Sequence, residues 1–357
     1  MSTLPTRMSG FVLTGHGGPE MLEWREDLPV PQAEAGEVVI KVAASAVNNT
    51  DINTRIGWYS RDVTTATDAV TGTVDSAASW SGAALNLPLI QGADCCGHIV
   101  AVGAGIDAAR IGERVLVRAM SSRTRADGTM TIATFGSECN GGFAQFTKAP
   151  SHDALAVQSD LSDIELAALP CAFSTAEGML QRAAVQAENV LITGASGGVG
   201  AAAVQLAHLR GARVTAVTQG SKAEAVMALG AHATLDRDAV PPADSFDVVL
   251  DLVGGPAFPA LLDGLKAGGR YVTSGAIAGP IVPLDLRTLY LKDLTLFGST
   301  HQPDNIFEDL IRIVERGALR PAIAATYRLR DLPAAQAAFA AKTHVGKICL
   351  TVAGAAP

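Results

Sequence analysis

Dense runs of lysine and arginine are missing from this 357-residue chain, and its formal net charge is −8. Nucleic acid and anionic membrane surfaces are bound through such a cationic footprint, so both are excluded as expected partners. No apolar run approaches the ~20 residues needed to cross a bilayer. The opening MSTLPTRMSG also lacks the apolar core of a signal peptide. A soluble, cytoplasmic protein is expected. The five cysteines, Cys95, Cys96, Cys139, Cys171 and Cys349, form no C-x-x-C pair and are odd in number. Neither a disulfide framework nor a structural zinc lobe is written in that spacing, and reduced, mostly buried thiols are expected.

The chain does have the length and the 48% hydrophobic content for two cores. From about Asp160 to Arg316, short β-branched runs alternate with alanine- and leucine-rich stretches of helical length. This is the pattern of successive βαβ units on a parallel sheet. The strands are expected in NVLITG, ARVTAVT, ATLD, FDVVLDLV, GGRYVTSG and LTLFGS, with helices over 199–209, 222–229 and 258–265. Before residue 160, runs such as EVVIKVAASAV, GHIVAVG and ERVLVR stand between Gly, Pro and Asp, as in a mostly antiparallel β domain. The closing HVGKICLTV is strand-like and is expected to return to that first domain. The division is therefore 1–159 with 318–357 as one domain and 160–317 as the other. Residues 61–87, rich in Thr, Ser, Ala and Gly, read as a long loop, with a lid as the expected role.

The strongest local signal is NVLITGASGGVGAAAVQLAHLRGARVTAVTQGSK. Gly194, Gly197, Gly198 and Gly200, with Ser196 and Val199 between them, supply the tight turn, the close backbone approach and the helix packing that a dinucleotide pyrophosphate requires at a helix N-terminus. At the end of the second strand the chain reads Thr218, Gln219, Gly220, Ser221, Lys222, with no acid to accept from a ribose 2′-OH. Two hydroxyls and an ammonium suit a 2′-phosphate, so NADP(H) is the expected cofactor.

The order of a β domain and then GASGGVG, together with GADCCGHIVAVGAGIDAARIGERVLV, GGFAQF and the terminal GKICL, resembles the medium-chain dehydrogenase/reductase superfamily over nearly the whole chain. The resemblance implies an α/β protein with a GroES-like domain, a Rossmann doubly wound domain and a cleft between them. It also implies a homodimer joined through the last Rossmann strand, residues 294–300. Thr175, Val253, Gly275, Ile277, Gly298 and Lys347 are expected to join the cofactor contacts in that cleft.

In the zinc-dependent branch of the family, ligands would fall at Asn48 and Asn53, Ala93 and Cys171, and only the last is a ligand type. No metal is expected, and Cys171 reads as a packing residue or relic. In VNNTDINTRIGWY, residues 47 to 59, Asn48, Asp51, Ile52, Asn53, Gly57 and Tyr59 resemble the opening pattern of quinone oxidoreductases and, more closely, of medium-chain enoyl thioester reductases, with Asn49 where those carry proline. The resemblance implies Tyr59 as a hydrogen-bond donor to the substrate carbonyl, with Asn48 and Asn53 orienting it or the substrate. Asp51 is assigned to structure, with Arg55 as its candidate ion-pair partner, and His98 and His301 read as satisfied partners.

The expected function is a zinc-independent oxidoreductase that transfers hydride from NADPH to an activated C=C bond (an enone or enoyl thioester) or to a quinone. Two alternatives stay open: an alcohol dehydrogenase with an altered metal set, and a non-catalytic NADPH-binding regulatory protein.

Overall fold

The computed structural model describes residues 4–70, 84–124 and 127–352, except the side chains of Arg123, Thr124 and Met130. β1 (Arg7–Leu13) and β2 (Leu22–Pro29) form an antiparallel pair. β3 (Glu37–Ala46) follows and is buried along almost its entire length. That fits EVVIKVAASA, which carries apolar or small residues on both faces and so can be covered on both. The polar stretch after it folds as helix α1 (Asn49–Ile56), closed by Gly57 at φ +72°, the left-handed conformation that glycine accepts at a helix end.

Strands β4 (Cys96–Val102), β5 (Arg114–Val117), β6 (Met120–Thr124), β7 (Met130–Thr134), β8 (Phe146–Pro150) and β9 (Ala154–Ala156) complete the first half of the chain. α2 (Asp163–Ala167), capped by Ser162, and α3 (Pro170–Arg182) lead into the second half. α3 starts on a proline, which suits a first turn whose N–H groups have no partners in the helix.

The second half alternates as its sequence pattern predicts: β10 (Asn189–Ile192), α4 (Gly198–Leu209), β11 (Arg213–Val217), α5 (Ala223–Ala228), β12 (Ala233–Leu235), β13 (Phe246–Asp251), α6 (Phe258–Asp263), β14 (Leu265–Thr273), α7 (Leu286–Leu291), β15 (Thr295–Gly298) and α8 (Asp304–Glu315). Its strands form a parallel sheet in the order β12-β11-β10-β13-β14-β15. The order reverses between β10 and β13. Open α/β sheets bind ligands in the crevice at that switch point, and the glycine turn after β10 lies there. The core below the sheet is built from α3, α4 and α8 side chains, among them Phe173, Met179, Leu206, Phe307 and Leu310.

The chain ends with β16 (Ile323–Arg328), α9 (Leu332–Ala340) and β17 (Lys347–Thr351). β17 pairs antiparallel with β3 and parallel with β16, so the last strands extend the first sheet to the order β16-β17-β3-β4-β5-β9, with β8 also on β3. Residue 347 therefore sits beside residues near 47. The molecule is α/β: a GroES-like, mostly antiparallel β unit and a Rossmann unit. Among the described residues, no helix is long and apolar enough to cross a membrane.

Candidate active site

The glycine turn after β10 is shaped by steric necessity. Gly194 has φ +58°. A Cβ on Gly200 would lie 2.2 Å from the Gly194 carbonyl oxygen, and one on Gly198 2.8 Å from Lys347 Cδ. The turn opens directly into the twelve residues of α4, so backbone N–H groups and the helix dipole face the crevice together. Buried Asp251 braces the neighbouring turn: it accepts hydrogen bonds from the Thr193 and Tyr271 hydroxyls, each at 2.5 Å, and from the backbone N–H of Val253 and Gly254.

Across the crevice, α1 presents the polar residues of the 47–59 stretch. The Asn48 N–H donates to Asp51 Oδ2 at 2.8 Å, and the Ala93 N–H donates to Asp51 Oδ1 at 3.2 Å. Asp51 is thus structural, but not through Arg55, which hydrogen-bonds instead to the Gly17 carbonyl and to Gln336. Burial, with the charge of Asp94 adding, pushes the Asp51 carboxyl up to about 7 against the hydrogen bonds it accepts. A carboxyl with a raised folded-state value favours the protonated folded protein, so its contribution to stability is lost as pH rises from about 4 to about 7. The slope of melting temperature against pH across that window is expected to be flatter in Asp51→Asn than in the parent; an unchanged slope in thermal melts would contradict the assignment.

The Tyr59 hydroxyl donates to Thr50 Oγ1 at 3.2 Å, and Asn53 also hydrogen-bonds it. Burial raises its pKa to about 12 although both hydrogen bonds pull the other way. Tyr59 is therefore a protonated donor across the physiological range. Asn48 is fully engaged: its amide group donates to Asp94 Oδ2 at 2.7 Å and to the Ala46 carbonyl, and its oxygen accepts from Lys347 Nζ at 2.5 Å.

One cavity of about 770 Å³ joins these two sides. Of the residues named from sequence, Asn48, Asn53, Tyr59, Thr175, Gly194, Gly197, Gly198, Val199, Gly200, Gly275, Ile277, Gly298 and Lys347 line it. Ser196, Thr218, Ser221, Lys222 and Val253 do not. Ser196 accepts from the Gly346 N–H, Val253 packs against Gly194, and the other three lie past the end of β11. The cavity also takes in Trp58, Cys171, His301 and Lys342. His301, read from sequence as a satisfied partner, has a buried Nδ1 without a hydrogen-bond partner among the described residues. At the mouth, the Trp58 indole donates to the Thr65 carbonyl, and the Thr67 N–H donates to the Ile277 carbonyl at 3.0 Å. These bonds tie residues 65 and 67 of the 61–87 segment to two residues that line the cavity, Trp58 and Ile277, while 71–83 lie outside the described residues.

Lys342 was not singled out from sequence, and nothing local marks it. The Lys222 ammonium donates to the Lys342 carbonyl, and the Lys342 ammonium lies 3.3 Å from Asn49 Oδ1 and 4.0 Å from the centre of the Phe339 ring. Lys342 holds φ +52°, an uncommon conformation for a non-glycine residue. Burial of its tip and the charge of Lys222 pull its pKa down to about 8. The Lys222 value is likewise lowered, by burial and by Arg237. Two cations are thus held together just past the end of β11, and the Thr218 hydroxyl in the same stretch of chain is buried without a hydrogen-bond partner among the described residues.

The residues at the family's metal positions do not form a ligand set. Asn48 is committed to Asp94 and Lys347, Ala93 has no donor, and Cys171 packs with Ala93 and Ala119, its thiol pushed up by burial and then by Asp94. Among the described residues, no group of three His, Cys, Asp or Glu is placed to hold a metal ion.

Residues 34–159 match the alcohol dehydrogenase GroES-like domain family, and 198–316 match the zinc-binding dehydrogenase family. An acryloyl-coenzyme A reductase from Metallosphaera sedula is 29% identical, covering 96% of this chain and 100% of its own length. A quinone oxidoreductase from Lama guanicoe is 30% identical, with 93% of each chain covered. A solved structure from Sinorhizobium meliloti 1021, provisionally described as an alcohol dehydrogenase, superposes with a TM-score of 0.89 at 44% identity over 98% of both chains. With the turn, the cavity and the strand order already pointing the same way, the chain belongs to the medium-chain dehydrogenase/reductase superfamily, in its quinone and enoyl reductase-like branch, and is an oxidoreductase of the medium-chain dehydrogenase/reductase type.

Proposed function

We propose that the protein is a zinc-independent reductase that uses NADPH to reduce a conjugated C=C bond or a quinone. The observation that carries this reading is the cavity in which the glycine turn faces a half-buried, protonated tyrosine with no metal ligand set among the described residues. The residues present fit a dinucleotide: the cradle is closed to any Cβ at Gly200, and α4 aims its N-terminus into it. When bound, the reduced nicotinamide supplies the hydride. The protein's part is to hold the acceptor in the cavity, exclude water from it and donate from Tyr59 to the oxygen on which negative charge develops. Asn53 holds the tyrosine hydroxyl, and Asn48 acts from behind as a positioning residue. We assign 1–159 with 318–357 to the acceptor side and 160–317 to the cofactor side.

The test is NADPH oxidation against a panel of quinones, enones and enoyl thioesters, with and without a chelator. Turnover of at least one acceptor, insensitive to the chelator, is expected. Tight NADPH binding with no turnover would favour a regulatory protein, and chelator-sensitive turnover an alcohol dehydrogenase with another metal set.

Preference for NADPH is assigned to Lys222, Lys342, Thr218 and Ser221. A dianionic 2′-phosphate would relieve the repulsion between the two ammonium groups. Lys222→Ala and Lys342→Ala are each expected to weaken NADPH about tenfold or somewhat more while leaving NADH within about twofold, as suits a charge-assisted bond of ~1.5 to 3 kcal/mol that is partly exposed. The preference should also fall as pH rises through about 8, where Lys342 loses its proton. Equal affinity of the parent for both cofactors in fluorescence titrations overturns this assignment.

A homodimer is proposed on the same sheet. β15 is its edge strand, and Leu286, Tyr290 and Leu291 of the adjoining α7 are 63%, 61% and 70% exposed. An open edge beside an apolar patch is a template for a two-fold mate. Sedimentation is expected to give a dimer for the parent and a monomer for Leu286→Glu/Leu291→Glu; a monomeric parent at micromolar concentration rejects it.

A further inference from the structure

No aspartate or glutamate stands among the described residues that line the cavity, although the chain as a whole carries a net charge of −8. Three cationic side chains do line it: Lys342, Lys347 and Arg182. Lys347 is neutralised by Asp94 at 2.8 Å, and Lys342 stands beside Lys222 past the end of β11. Arg182 is the cation left over. Its guanidinium makes no ion pair among the described residues, and one N–H reaches only the His301 carbonyl, at 3.4 Å. A guanidinium carries five N–H donors in a planar fork that matches the two oxygens of a carboxylate, so most of its capacity is unused here.

His301 lines the same cavity. Its Nδ1 is sealed from solvent without a partner, whereas Nε2 is not sealed and makes no hydrogen bond among the described residues. A sealed N–H with no acceptor loses its bond to water outright, so the proton of the neutral ring belongs on Nε2. The ring thus offers a second donor in the residue that the arginine touches. On α3, Cys171, Thr175 and Arg182 follow one another at one and then two helical turns, on one face, and all three line the cavity. At ~1.5 Å of rise per residue, Arg182 starts roughly 16 Å beyond Cys171, and its side chain leans back towards the helix N-terminus, so the fork falls on the order of 10 Å from the Cys171 end.

We propose that Arg182 and His301 form a carboxylate subsite for the acceptor. The acceptor is then a compact molecule whose reducible bond lies within reach of Tyr59 and whose own carboxylate, on the order of 10 Å away, pairs with Arg182 and accepts from His301 Nε2. Neither residue touches the reacting atoms, so their effect falls on which acceptor is held. The inference rests on the reading that this cavity reduces an acceptor with NADPH. The competing accounts are that the two residues serve the cofactor, or a phosphate at the far end of a long thioester.

3-Benzoylacrylate and its methyl ester present the same enone with and without the charge. In Arg182→Met, kcat/KM is expected to fall at least tenfold for the acid, through KM, and less than threefold for the ester, with NADPH affinity and melting temperature kept. Arg182→Lys should recover part of the loss and Arg182→Glu deepen it. His301→Phe, which keeps a ring and removes the donor, should cost the acid about fivefold. An equal loss for acid and ester, a weakened NADPH, a loss confined to crotonyl-coenzyme A, or no loss for the acid in Arg182→Met or His301→Phe overturns the proposal. Binding of the saturated 3-benzoylpropanoate and of its methyl ester to the NADP+-saturated protein is measured beside this by calorimetry. The parent should bind the acid at least tenfold more tightly than the ester, and Arg182→Met should lose that preference. Should the parent turn over no acceptor, the reductase reading fails, and these binding constants still decide the subsite: a parent with no preference for the acid overturns it.

Discussion

Tyr59→Phe is expected to lower kcat on the best acceptor by about 100- to 1,000-fold while leaving NADPH affinity and melting temperature close to those of the parent. The change keeps the ring and its edge-to-face contact with Trp58, at 5.6 Å between centroids, and deletes only the hydroxyl. A donor aimed at an oxygen that gains charge during the reaction matters more in the transition state than in the bound substrate, and loss of one such donor typically costs ~2.7 to 4 kcal/mol. With its pKa near 12, the tyrosine stays a donor throughout the working pH range, so its own ionisation should not shape the pH–rate profile below pH ~10. A purely structural tyrosine would show the reverse signature, a lower melting temperature with near-normal turnover. A kcat within threefold of the parent removes Tyr59 from the mechanism.

Gly200→Ala is expected to weaken NADPH at least about 100-fold, a loss of roughly 2.7 kcal/mol. The new methyl would sit 2.2 Å from the Gly194 oxygen and 2.6 Å from Ala195 Cα, both backbone atoms of the turn itself, so the turn must open to admit it. Gly198→Ala meets the Lys347 stem at 2.8 Å instead. A side chain yields more readily than backbone, and about a tenfold loss is expected there. Binding of NADPH to Gly200→Ala within threefold of the parent would mean that the pyrophosphate does not lie on this turn.

The βαβ half was legible because a parallel sheet covered on both faces demands unbroken β-branched runs, and β10, β11, β13 and β14 supply them. The glycine turn was legible because its tightest constraints are local: Gly194 is held by its own backbone at φ +58° and Gly200 by Gly194 and Ala195, although Val253 and the Lys347 stem, both distant in the chain, also close on Gly194 and Gly198. The 47–59 stretch gave its residue types but not its shape. Its helix is marked by Asn48 and Asp51 at one end and Gly57 at the other, yet Asp51 proved to cap that end and hold Ala93 rather than to pair with Arg55. His301 reads in the sequence as a satisfied partner, yet its Nδ1 has no hydrogen-bond partner among the described residues and the residue lines the cavity.

By itself the sequence determined the α/β class, the Rossmann alternation, the pyrophosphate turn and the lack of a metal ligand type at Ala93, because each is carried by residue identity or by spacing over a few residues. The tertiary structure alone decided that Lys342 meets Asn49 and Lys222, 293 and 120 residues away, and that Asp94 joins Lys347 across 253. β17 makes the second meeting possible by pairing with β3, which brings the end of the chain beside the start of α1. No local pattern records such a pairing: it is settled when the whole sheet closes, and the charge of a lysine is the same in the sequence whether it ends in solvent, beside a second cation or sealed against a carboxylate.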